Sequence, residues 1–176
     1  MGKLIIMEGL DGSGKGTQAE LLARRLTEQG RTLRKITFPD YASDSSALVR
    51  MYLAGKFGDK PDDVNPYAAS SFYSVDRYAS YKMNWGGFYQ DGGLVISDRY
   101  TTSNAVHQCA KLPPEQWGAF LDWLFDFEYH KIGIPKPDRV IYLAVDPEVS
   151  QRLMTARYHG DESKKDIQEK DTEYMA

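Results

Sequence analysis

Leu4 to Thr17 reads LIIMEGLDGSGKGT, an apolar strand-forming run that passes into a glycine-rich stretch and then into a helix-forming segment. Within it Gly9, Gly14 and Lys15 satisfy the spacing GxxxxGK. Successive backbone N–H groups must curl around a polyphosphate, glycines let the backbone come close, and the following helix adds its N-terminal dipole. Gly9, Leu10, Asp11, Gly12, Ser13, Gly14, Lys15, Gly16 and Thr17 are therefore expected to form a phosphate cradle. Lys15 supplies a mobile positive charge for the β- and γ-phosphates.

At 176 residues the chain is long enough to bury a real core, and it is read as a single domain. Its net charge of −3 provides no global field for nucleic acid or an acidic membrane, so any anion site must be built locally. The lone cysteine, Cys109, leaves no intramolecular disulfide to form and suits a reducing cytoplasm. The longest apolar runs, such as Val140 to Val145, are too short to span a bilayer, and no apolar signal segment follows Met1.

Beyond the loop, Ala19, Leu22, Ala23 and Leu26 recur at helical spacing, and Gly30 stops that helix. A second strand, Leu33 to Phe38, ends at Pro39, which places Phe38, Pro39, Asp40 and Tyr41 where open α/β sheets bind ligands. Asn65-Pro66 reads as a cap followed by proline at the first helical position, opening an aromatic helix that runs to about Met83. Tyr73 and Arg77 are four residues apart on it and share a face. They could stack on a base and hydrogen-bond its edge; equally, the helix could be core, with Arg77 paired to a neighbouring acid.

Gly92-Gly93 releases the chain into a third strand that ends at Asp98-Arg99. An acid at that point could hold hydrated magnesium or orient phosphates, and an arginine beside it could bridge two phosphate groups. Asn104 and His107 follow one turn apart, as site groups or as plain surface helix. Trp117, Phe120, Leu121, Trp123, Leu124 and Phe127 form a stripe richer in aromatics than one small domain readily covers, which suggests a homodimer interface. Arg139 to Val145 is a fourth strand, and Asp146-Pro147 caps a helix carrying Arg152 and Arg157. The polar run Tyr158 to Lys165 reads either as a solvated loop or as a basic lid, about residues 155–168, that brings Arg157, Lys164 or Lys165 to the phosphates.

Taken in order, EGLDGSGKGTQ, FPDY, Tyr73 with Asp76-Arg77, DRYTTSNAVHQ and PDRVIYLAVDPEV resemble thymidylate kinases, within the nucleoside monophosphate kinase group. The resemblance runs over nearly the whole chain. It implies an α/β, three-layer P-loop NTPase fold with a parallel sheet in the order 2-3-1-4 flanked by helices. It also implies ATP and Mg²⁺ as cofactors, transfer of the γ-phosphoryl group to dTMP, and nucleotide substrates rather than nucleic acid or membrane as partners. By position, Lys15, Arg99, Asp11 and Arg157 would be catalytic, and Asp98, Asp11 and Thr17 would lie at the metal. Phe38, Pro39 and Tyr41 would line the acceptor pocket, Tyr73 would stack on thymine, and Arg77 would read its exocyclic oxygen. Arg99 would hold the acceptor phosphate, and Asn104 would contact the base. His107 stands where the family often has a tyrosine near the sugar.

There are three departures from the family pattern. Gly16 replaces the Ser or Thr after the lysine. Gly12 and Ser13 leave no arginine inside the loop, so a lid arginine, Arg157 with Arg152 in reserve, would neutralise the transition state. The family continues into a fifth strand and a final helix, which are expected to lie beyond this sequence. Two rivals remain: a deoxynucleoside kinase using Asp98 or Asp40 as base, and a nucleotide-binding switch, against which stands the lack of an NKxD base-reading motif.

Overall fold

The computed structural model describes residues 1–157 and 166–170. Four strands alternate with helices in the order β1 (Lys3–Gly9), α1 (Lys15–Glu28), β2 (Leu33–Thr37), α2 (Ala47–Leu53), α3 (Pro66–Ser80), α4 (Gly86–Gln90), β3 (Leu94–Asp98), α5 (Thr101–Cys109), α6 (Trp117–Phe125), β4 (Arg139–Leu143), α7 (Pro147–Arg157) and α8 (Ile167–Lys170). The strands form one parallel sheet in the order β2-β3-β1-β4, the arrangement of the P-loop NTPase fold.

Side-chain alternation along the central strands divides the core into two layers. Leu4 and Ile6 of β1 join Val95, Trp85, Tyr89 and Tyr100 on one face, while Met7 joins Ala19, Ala23 and Ile96 under α1 on the other. Leu4, Ile6, Val95 and Ile96 are wholly buried, worth about 1.5–3 kcal/mol each. The register sets the working edge of the sheet. Met7 pairs with Asp98, and Thr37 pairs with the same residue from the other side, so three strands end at one level. The glycine-rich loop, the Phe38–Tyr41 segment and Asp98-Arg99 emerge there together.

Helix boundaries follow the local chemistry. Asn65 Oδ1 accepts from the backbone N–H of Ala68 at 2.9 Å, and Pro66 occupies the first helical position, as the sequence predicts for α3. At the end of α1, Gly30 adopts φ 80° and donates to the carbonyl of Thr27.

Two differences from the periodicity stand out. The aromatic helix does not end near Met83: a π-helical turn, Tyr81–Trp85, carries it on into α4. A second π turn, Asp126–Lys131, extends α6. In each, a wider turn rotates the following side chains, which puts Trp85 and Glu128 wholly inside the protein. The aromatic stripe is also partly absorbed within the chain. Phe120 and Leu124 are buried, and Tyr67 of α3 meets the rings of Phe120 and Trp123 edge-on at 5.4 and 4.7 Å.

Candidate active site

The loop between β1 and α1 is shaped by its glycines and braced from α7. Gly12 lies at φ 85°, and a Cβ there would stand 2.3 Å from the carbonyl oxygen of Ser150. Ser150 in turn donates its hydroxyl to the carbonyl of Asp11. Gly14, at φ 86°, sits at the N-cap of α1 without a capping side chain, so the first N–H groups of that helix stay available to an anion.

These elements border a cavity of about 770 Å³ at the C-terminal edge of the sheet. Asp11, Gly12, Gly14, Lys15, Gly16 and Thr17 line one end, whereas Gly9, Leu10 and Ser13 build the loop beneath without lining it. Phe38, Pro39, Tyr41, Tyr73, Arg77, Arg99, Asn104 and His107 line the rest of the same cavity, together with Asp98. The sequence reading thus named residues that the fold gathers from five separate segments.

Arg99 stands between the two ends. It is the only non-glycine residue with positive φ among the described residues, at 68°, a conformation that costs about 1–3 kcal/mol unless its surroundings impose it. They do so here: its N–H donates to Met7 O at 3.1 Å and its carbonyl accepts from Ser97 Oγ at 2.6 Å. The resulting kink swings the guanidinium across the loop, where Nη2 bonds Asp11 Oδ1. On its other nitrogen, Nη1 donates to Ser103 Oγ at 3.1 Å and lies 3.4 Å from His107 Nε2. Glu8 Oε1 is 3.8 Å from the same guanidinium nitrogen.

The charges in this cluster depend on one another. Burial alone would raise the Asp11 pKa, but Arg99 and Lys15 outweigh it and hold the carboxyl below its ordinary range. Burial followed by repulsion from Arg99 brings Lys15 down to about 8, although Asp11, Asp98 and Glu8 oppose that fall. Its Nζ donates to Leu10 O at 2.8 Å and lies 3.8 Å from Asp11 Oδ1. His107 is driven to about 4 by burial and by Arg99, so it is neutral near pH 7 and can accept from the arginine.

Asp98 bears on magnesium. Burial raises its pKa, and Oδ1 is buried with no hydrogen-bond partner among the described residues. A Cβ built on Gly16 would sit 3.0 Å from Oδ2, so any side chain after the lysine would press on this carboxylate. Asp98 and the hydroxyl of Thr17 are hard oxygen donors on the same wall, chemistry that suits Mg²⁺. Asp11, also expected near the metal, has its carboxylate engaged by Arg99. No group of three or more His, Cys, Asp or Glu able to hold a metal occurs among the described residues, so phosphate and water would supply most of the shell.

At the far end Tyr73 meets Tyr52 edge-on, with ring centroids 6.5 Å apart. Asp76, beside Arg77 and wholly buried, accepts from the Asp40 N–H at 2.8 Å and from Ser45 Oγ at 2.6 Å, which fastens the Phe38–Tyr41 segment to α3. The peptide bond between Phe38 and Pro39 is cis. Arg77 combines the two readings open in the sequence. It lines the cavity, and it is also paired with an acid, Glu128.

Three residues of the site escaped the sequence reading. Glu8 accepts from Thr102 and Ser103 at 2.8 Å each; a lone acid inside an apolar strand was its signal. Gln108 lines the cavity wholly buried, with neither amide atom hydrogen-bonded among the described residues. Glu128 is the third, and no local signal marks it.

The lid is described only at its margins. The side chain of Arg157, and Lys164 and Lys165 entirely, lie outside the described residues. The returning end presents Asp166, Gln168 and Glu169 to the cavity rather than basic groups, while Ile167 packs beside Tyr52 and Leu53.

An uncapped glycine-rich loop facing an arginine-bearing slot, across the carboxyl edge of a parallel sheet, defines a nucleotide kinase of the phosphate-loop class. The thymidylate kinase family model matches residues 7–176. The thymidylate kinase of Mycobacterium tuberculosis is 33% identical over 172 residues, covering 97% of this chain and 79% of that protein. That of Caenorhabditis elegans is 35% identical over 158 residues, covering 85% and 66%. Among solved structures, Candida albicans thymidylate kinase superimposes with a TM-score of 0.64 at 28% identity, covering 86% of this chain and 66% of that one. The chain belongs to the thymidylate kinase family and is a phosphotransferase.

Proposed function

We propose that the protein transfers the γ-phosphoryl group of ATP to dTMP, giving ADP and dTDP. The observation that carries this reading is the position of Arg99, which touches the donor loop through Asp11 and the acceptor slot through Ser103 and His107. A guanidinium there can release Asp11 and bridge the acceptor phosphate to the transferring group. Lys15 would move from Leu10 O to the β- and γ-phosphates. The acceptor phosphate is already a nucleophile, so the reaction needs positioning and charge neutralisation rather than a general base. Mg²⁺, held by Asp98, Thr17, phosphate and water, would supply further neutralisation of the phosphates when bound.

At the other end the cavity offers Tyr73 as a flat face for a pyrimidine. Arg77 supplies donors, and Asn104 and Gln108 supply amides for the base edge. Arg157 would supply the lid arginine, and the protein would work in a reducing cytoplasm. The one cysteine supports that location, and no helix among the described residues is long and apolar enough to cross a membrane.

A coupled ADP-release assay across dTMP, dUMP, dCMP, dAMP and thymidine tests the proposal. dTMP is expected to give the highest kcat/KM, and Arg99→Ala to lower kcat on the order of 10³-fold. Arg77→Ala should weaken the preference for thymine. Turnover of thymidine without dTMP turnover would establish the deoxynucleoside kinase instead, and ADP release indifferent to any acceptor would establish an ATPase module.

A further inference from the structure

Glu128 is wholly buried, where an isolated carboxylate would be strongly disfavoured. It is compensated by an unusually complete set of donors. Arg77 donates from Nε to Oε2 at 2.8 Å and from Nη2 to Oε1. Ser74 Oγ donates to Oε1 at 2.8 Å, Thr101 Oγ1 to Oε2 at 2.6 Å, and Asn104 Nδ2 reaches Oε1 at 3.5 Å. Ser74 and Arg77 belong to α3, Thr101 and Asn104 to α5. One side chain, delivered inward by a π turn, ties together the two helices that wall the base end of the cavity.

The geometry of the pair has a consequence for recognition. A carboxylate gripping the Nε and Nη2 edge of a guanidinium fixes its plane as well as its place. Nη1 is then left with no hydrogen-bond partner among the described residues, on a side chain that lines the cavity. The positive charge of Arg77 is also balanced within the pair. The base end therefore offers donors without net charge, which suits a neutral pyrimidine carbonyl. A stabilising role alone would not demand this arrangement, because a buried ion pair can often be replaced by apolar residues at no loss.

We infer that Glu128 is a positioning residue for base selection: it sets the plane of the Arg77 guanidinium and the amide of Asn104, and so discriminates a keto from an amino group on the pyrimidine without touching it. This rests on the dTMP kinase reading above.

Kinetics on dTMP, dCMP and dUMP test it with the full chain carrying Glu128→Gln, Thr101→Val, Arg77→Met, and Glu128→Gln with Arg77→Met. Glu128→Gln is expected to raise KM for dTMP about 10- to 100-fold and to cut the dTMP-over-dCMP ratio of kcat/KM about tenfold. The dTMP-over-dUMP ratio, which reports only the methyl group, should stay put. In the Arg77→Met background the same substitution should change the dTMP-over-dCMP ratio by less than about twofold, since the two residues act as one unit. Thr101→Val should move KM in the same direction by a smaller factor. A uniform fall in kcat with unchanged ratios, or equal ratio changes in both backgrounds, overturns the inference. If Glu128→Gln does not fold, an unchanged ratio in Thr101→Val and Ser74→Ala overturns it. Absence of dTMP turnover by the wild type defeats the underlying reading instead.

Discussion

At the scale of single residues, the charge on Lys15 is the least secure part of the donor site. Burial, with Arg99 nearby, brings its pKa down to about 8. Below that value the ammonium is present and attracts the ATP phosphates; above it the free protein loses the cation. The kcat/KM for ATP is therefore expected to fall about tenfold per pH unit once pH passes about 8. Bound phosphates stabilise the ammonium, so kcat should hold to a higher pH than kcat/KM. Profiles of both between pH 6 and 9.5 check this, and a kcat/KM that stays flat to pH 9 contradicts it. His107 should add no limb of its own near neutrality, because with a pKa of about 4 its ring is neutral throughout that range. That neutral ring can accept a hydrogen bond from Arg99.

At the scale of elements, the π turn between α3 and α4 depends on one glycine. The N–H of Gly86 bonds back to Tyr81 O, and a Cβ at Gly86 would stand 2.4 Å from that backbone oxygen. Gly87, its neighbour in α4, has nothing within 4 Å of its Cβ position. Gly86→Ala should therefore destabilise the fold by about 1–3 kcal/mol, and Gly87→Ala should stabilise it by up to about 1 kcal/mol as helix propensity dictates. Denaturant unfolding of the two variants measures both; equal shifts would mean that the wide turn relaxes freely. This element also shows where sequence patterns lose their grip. A period of 3.6 residues traces α3 to its end, but a π turn changes the phase and carries the chain on into α4. The same change of phase hid Glu128. An acid in a helix reads as solvent-facing, and its partners at Ser74, Arg77, Thr101 and Asn104 lie 24 to 54 residues away. By contrast, the loop from Gly9 to Thr17 was legible because all of its determinants are consecutive.

At the scale of the whole molecule, the parallel register turns four separated motifs into one cavity, with the fifth forming β4 beside β1, and resemblance to a family supplied what spacing alone could not, namely which strand lies beside which. Surface behaviour was less legible. The aromatic stripe on α6 predicted a partner chain; Phe120 and Leu124 of it are buried and Tyr67 packs on Phe120 and Trp123, while Trp117 stays 42% exposed. Exposed apolar side chains occur on several elements; on α3, next to the α6 stripe, Tyr67, Val75 and Tyr78 are 41, 51 and 41% exposed. At 100° per residue these three fall within an arc of about 80°, with Ser71 between them. We therefore place the proposed homodimer contact on this stripe, two copies of α3 meeting about a twofold axis that makes Val75 face its own counterpart or a near neighbour. Val75→Glu would then bring like charges together in a closing interface and should shift sedimentation from dimer to monomer at micromolar protein. Arg77 lies about 120° around α3 from the middle of this stripe and is buried, so a monomeric variant should keep its base preference. A wild type that sediments as a monomer, or a Val75→Glu variant that stays dimeric, removes α3 as the contact.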